Sequence, residues 1–144
     1  MANVFDVAQY ILDCRGAMTT MKLQKLVYYC QAWSTVWDDD VLFPESIEAW
    51  KMGPVVRSLY ERHRGQFRVD CIDGGESSNF TVPQQDTIDR VLAFYSDKTA
   101  QWLSDLTHME DPWKAAWADA DSKEITPEML AEYYGSLSPG GEKE

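Results

Sequence analysis

The stretch Met21–Trp37, MKLQKLVYYCQAWSTVW, constrains this chain more than any other. On a helix turning about 100° per residue, Leu23, Leu26, Val27, Cys30, Trp33 and Trp37 fall on one arc. That is the pattern of a helix buried along a broad stripe. Lys22, Lys25 and Tyr29 border the stripe, and Gln24, Tyr28, Gln31 and Thr35 take the far side. A helix with two tryptophans on its inner face needs cover on both flanks, so it is expected to be central. Its far side carries a tyrosine and uncharged polar groups in place of a solvated charge run, which calls for a second neighbour or a partner.

The surrounding chain reads as helices packed on that rod. An earlier helix starts at Asn3, carries Val4, Val7, Ala8, Ile11 and Leu12, and stops at Gly16, which accepts a left-handed backbone without a Cβ penalty. Thr19 or Thr20 caps the central helix, and the short link between the two makes them an antiparallel pair. Asp38-Asp39-Asp40 oppose the helix dipole and end it. Ile47–Met52 alternates as a short extended segment. Gly53-Pro54 then turns the chain into a helix reaching Arg64, with Pro54 at its first turn. Phe67–Val82, rich in Gly, Ser and Asn, reads as a small β-hairpin or a mobile excursion.

Later helices are expected over 84–98, 99–107 and 112–118, followed by a last one capped at Thr126. Their inward faces are read as Ile88, Val91, Leu92 and Tyr95; Trp102, Leu103 and Leu106; Trp113, Ala116 and Trp117; and Met129, Leu130, Tyr133 and Tyr134. The expected architecture is mainly α, a single-domain bundle of about six to seven helices with a short extended segment or small hairpin. It spans residues 1–135, with 136–144 as a flexible tail.

Composition narrows the function. The 144 residues carry a net charge of −11. Binding to nucleic acid depends on Lys and Arg displacing counterions, so direct nucleic-acid binding is not expected. An anionic membrane surface is disfavoured for the same reason. No apolar run approaches the roughly 18 residues of a spanning helix, and the first residues lack the basic start of a secretion signal, so a cytoplasmic location is expected. The three cysteines lack CxxC spacing, and Cys14 and Cys30, set in helical patterns, read as small buried or half-buried thiols in a reducing compartment. The templates for nucleotide loops, nucleophile elbows and zinc sites are absent, and no metal, cofactor or catalytic residue is assigned. Between Lys51 and Arg68, however, five basic residues face the single acid Glu61. Their arginines either pair with surrounding acids or form a recognition edge for an acidic patch or phosphate.

Two blocks carry a resemblance. Lys22-Leu23-Gln24-Lys25-Leu26-Val27-Tyr28-Tyr29-Cys30-Gln31-Ala32-Trp33, and then Ile47-Glu48-Ala49-Trp50-Lys51-Met52-Gly53-Pro54-Val55-Val56 with Leu59-Tyr60, resemble the SocA-like Panacea domain. Leu106-Thr107-His108-Met109-Glu110-Asp111-Pro112-Trp113 matches that family's later signature, and the likeness runs from about residue 3 to about 135. The family occurs in phage and bacterial genomes, often beside a toxin gene. The resemblance implies an antitoxin, not an enzyme, that neutralises a cognate protein toxin by direct binding. An adaptor that delivers a partner to a protease is the alternative, and a small-ligand-binding protein or enzyme a more distant one. Self-association into a homo-oligomer is left open. Many family members add a DNA-binding domain, and no such domain is read here.

Position by position, Leu26, Trp33, Glu48, Gly53, Pro54 and Trp113 are expected to be scaffold. Lys22, Lys25, Tyr29, Trp50, Arg57, Tyr60 and His108 mix cation, hydroxyl and aromatic groups and are the expected partner-binding residues.

Overall fold

A computed structural model describes residues 1–137. Asn3 caps α1 (Val4–Arg15) through a capping box: its side chain accepts from the Asp6 amide at 3.0 Å, and Asp6 accepts from the Asn3 amide at 2.9 Å. Gly16, at φ +81°, ends the helix. Thr19 caps α2 (Thr20–Trp37), accepting from the Lys22 amide. Thr81, Thr99 and Thr126 cap α4 (Val82–Tyr95), α5 (Ala100–Met109) and α7 (Pro127–Tyr134) in the same way. The remaining helices are α3 (Arg57–His63) and α6 (Asp111–Ala118). The chain is mainly α, with seven helices among the described residues.

The helix α2 is central, packed by α1, α4, α5, α7 and the strand β3 (Gly53–Val56). It is buried all round: every residue from Leu23 to Thr35 is inside. The far side therefore does not face solvent, and each polar group there has a specific internal partner. Gln31 accepts from the Leu42 and Phe43 amides and donates to the Phe43 carbonyl. Thr35 donates to the Ala32 carbonyl, and Tyr28 lies 3.0 Å from the Tyr134 hydroxyl.

The extended segment forms β2 (Ile47–Trp50), paired antiparallel with β3 in register Ile47↔Val56 and Ala49↔Pro54. β5 (Glu124–Ile125) adds to the other side of β2, giving the order β3-β2-β5. The following helix consequently begins at Arg57, not at Pro54. Pro54 sits in a strand at the sheet edge, where a missing N–H leaves no rung of the ladder unmade.

No hairpin forms over 67–82. β4 (Arg68–Val69) pairs with the distant β1 (Met18–Thr19), and the loop that follows is tied to α1. The Ile72 amide donates to Gln9, while Asp6 accepts from the Glu76 amide and the Asn79 side chain. Two tryptophans read as core lie outside it: Trp102 and Trp117 are each 42% exposed. Cys30 is buried as expected, but Cys14 is exposed, because the buried part of α1 ends at Leu12; Cys71 is exposed too. Of the expected tail, Ser136 and Leu137 fold back onto α7 through bonds to the Tyr133 and Tyr134 carbonyls; residues 138–144 lie outside the described residues.

Candidate partner-binding surface

The β2–β3 hairpin organises the site. Its turn, Lys51-Met52, ends at Gly53, which has φ +125°. A Cβ there would meet Lys25 Cε at 2.5 Å and the Thr107 hydroxyl at 3.0 Å, so glycine is required both by conformation and by space. The turn is clamped by α5 and α6. Ser104 Oγ donates to the Met52 carbonyl at 2.7 Å, and Trp113 Nε1 donates to the Trp50 carbonyl at 2.9 Å. The His108 ring spans two carbonyls, with Nε2 2.7 Å from Lys51 O and Nδ1 2.5 Å from Ser104 O, and it lies 4.1 Å from the Trp113 ring.

On the outer side of this hairpin four side chains meet. Arg57 forks onto Glu48, with Nη2 to Oε1 at 2.9 Å and Nε to Oε2 at 3.2 Å. Trp50 Nε1 donates to the same Glu48 Oε1 at 2.9 Å. The guanidinium lies 5.2 Å from the Trp50 ring, and Tyr60 meets that ring edge-on at 4.9 Å. Arg57's hydrogen bonds to Glu48 hold its carboxyl below the usual carboxylate range, against the pull of burial. An exposed pair of this kind contributes only about 0–1 kcal/mol to folding. What it supplies is orientation: the planar fork fixes Arg57 beside the indole.

The other expected contact residues are placed elsewhere. Lys22 donates to the Ser96 carbonyl at 2.6 Å, tying α2 to the end of α4. Lys25 is 1% exposed and donates to the Pro54 carbonyl at 3.2 Å. Burial alone pushes its amine down to about 8. Tyr29 is wholly buried, stacked on Tyr95 at 4.2 Å. Internal packing thus takes up Lys25 and Tyr29, while Trp50, Arg57 and Tyr60 come together at the surface and His108 fixes the hairpin that presents them.

Glu110, a residue the signature contains but to which sequence reasoning gave no role, is the hub of the buried network. Its Oε1 accepts from the Tyr29 and Tyr134 hydroxyls, both at 2.7 Å. Because Tyr134 spends its proton on Glu110, Tyr28 is the donor in the Tyr28–Tyr134 bond. Burial raises the Glu110 carboxyl to about 7, partly opposed by those two hydrogen bonds. The only signal in the sequence was an acid placed just before an Asp-Pro helix start.

Among the described residues, no group of three or more His, Cys, Asp or Glu side chains could hold a metal ion. No helix is long and apolar enough to cross a membrane. The model of the family described as antitoxin SocA-like, Panacea domain, matches residues 23–114, from the start of the buried face of α2 into α6. No curated protein and no solved structure matches the chain.

Proposed function

The chain belongs to the SocA-like Panacea domain family, and on that premise we propose that it neutralises a cognate toxin by binding it directly in the cytoplasm. The observation supporting this is the Trp50–Arg57–Tyr60 cluster, which Glu48 and the clamped hairpin orient before any partner arrives. Tryptophan, tyrosine and arginine are the side chains that dominate binding hot spots. Their prior ordering lowers the entropy lost on association. Neutralisation then needs no chemistry from this chain: a stoichiometric complex covers the toxin's active site or holds an inactive shape.

Co-expression with the neighbouring gene tests the reading. The neighbouring product alone is expected to arrest growth, and this chain to restore growth and co-purify in fixed ratio while toxin levels stay constant. A harmless neighbour, or two products that never co-purify, would contradict it. A fall in toxin level with no stable complex would mark delivery to a protease instead.

A further inference from the structure

Between α6 and α7 lies an open groove of about 350 Å³ that neither the hairpin nor the buried tyrosines use. Pro112 and Ala115 form one wall, Met129 and Tyr133 the other, and Asp111 and Glu132 add carboxylates. Both acids are exposed, and among the described residues no lysine or arginine lines the groove. Beside it, Lys114 Nζ stands 3.8 Å from Asp111 Oδ1 in a loose, solvent-exposed pair. Glu110 and Asp111 also reach Tyr133: after burial, their negative charge is what raises its hydroxyl above the ordinary range.

The size is at the lower end of ligand sites, about 300–1,000 Å³, which suits a side chain or two better than a cofactor. Apolar walls with carboxylates fit a group that is aliphatic along its stem and cationic at its head, as lysine and arginine are. Tyr133 adds an aromatic side chain, of the kind that attracts cations, to the lining, and the Met129 thioether adapts to a flexible stem. A second copy of the chain is a poorer occupant than a basic partner, because two chains each of net charge −11 repel one another.

We infer that this groove receives a lysine or arginine side chain projected by the protein partner, its stem on Tyr133, Met129 and Ala115 and its head reaching Asp111 and Glu132. The inference rests on the toxin-binding reading. It assigns that partner a basic contact residue, which fits the general rule that complementary charge sets partner choice and association rate.

The groove is tested first without the partner. The full chain, labelled at Met and Ala methyls, is titrated with N-acetyl-arginine methylamide, and with N-acetyl-norleucine methylamide as the uncharged control. Saturable shifts at Met129 and Ala115 are expected with the arginine probe only, weakened by salt and by Glu132→Gln, a substitution on an exposed helix face. Shifts elsewhere, no shifts, or equal shifts with norleucine would overturn the assignment. In the complex with the neighbouring gene product, Asp111→Lys/Glu132→Lys is expected to slow association and weaken Kd by about tenfold or more. A Kd equal to wild type, in a variant that keeps its melting temperature, would overturn occupancy by the partner. If the wild-type chain forms no complex with that product, the toxin-binding reading fails, and the arginine titration still decides what the groove accepts.

Discussion

Gln24 determines which nitrogen of His63 carries the proton. Gln24 Oε1 accepts from the Val56 amide at 3.0 Å and its Nε2 donates to the Val56 carbonyl at 3.3 Å, so the backbone fixes the amide's orientation. The same Nε2 lies 3.0 Å from His63 Nε2, which must therefore accept. The proton sits on Nδ1, a buried atom with no hydrogen-bond partner among the described residues.

A cationic His63 would set donor against donor and break the Gln24–Val56 clamp. Burial already lowers its pKa from the ordinary 6.5. The unfolded chain then binds the proton more readily than the folded one, so His63 removes stability as pH falls below about 6.5. NMR of the ring nitrogens should show the Nδ1–H form at pH 7, and His63→Gln should flatten the acid limb of a melting-temperature profile. An Nε2–H tautomer would contradict the hydrogen-bond assignment.

Glu110 acts with the opposite sign. Its folded pKa, about 7, lies above the ordinary 4.5, so the folded state holds the proton more tightly across that window. Stability associated with Glu110 is full below about 4.5 and is lost as pH rises through 7. Glu110→Gln keeps an oxygen for Tyr29 and Tyr134 but cannot ionise. The variant's melting temperature is expected to gain on wild type between pH 5 and 8. A constant difference across that range would contradict a carboxyl that titrates there.

Lys25 and Gly53 form a matched pair at the base of the hairpin. Gly53→Ala places a Cβ against Lys25 Cε at a backbone angle that side chains rarely adopt, and should destabilise by about 2 kcal/mol or more. Lys25→Met should instead stabilise at neutral pH by on the order of 1–3 kcal/mol, since one bond to the Pro54 carbonyl does not offset burying an ammonium. The gain should shrink as pH rises from 8 toward 10.5, where the wild-type amine loses its charge in the unfolded state too. Chemical denaturation of both variants checks these signs.

The helical frame was legible because its signals are local. Asn3, Thr19 and Thr126 announce caps within three residues, and the α2 stripe repeats every three to four. The burial of α2's far side was not legible. Gln24, Gln31 and Tyr28 count as polar in any periodicity, and the groups that satisfy them arrive from 11 to 106 residues away. Trp102 and Trp117 misled for the reverse reason: an aromatic at helical spacing is read as inward whether or not a neighbour exists to cover it. The candidate site was half legible. Trp50, Arg57 and Tyr60 were named and do meet. Lys25 and Tyr29 border the same stripe in projection, yet the helix is covered on that side too.

The surface cluster should behave as a binding element with little role in folding. Trp50→Ala removes a half-buried indole whose ring faces Tyr60 and Arg57, and Arg57→Glu sets a second carboxylate against Glu48. Arg57→Glu is expected to lower the melting temperature only slightly, because Arg57 is exposed, and Trp50→Ala somewhat more, because its indole is half-buried, without loss of the fold.

Titration of the purified neighbouring gene product with wild-type chain and with Trp50→Ala, at matched fold and concentration, tests the central claim most directly. The account predicts a one-to-one complex whose Kd rises by about thirtyfold in the variant, the effect of removing a hot-spot residue worth about 2 kcal/mol. A complex of unchanged affinity, with Trp50→Ala as well folded as wild type, would contradict it.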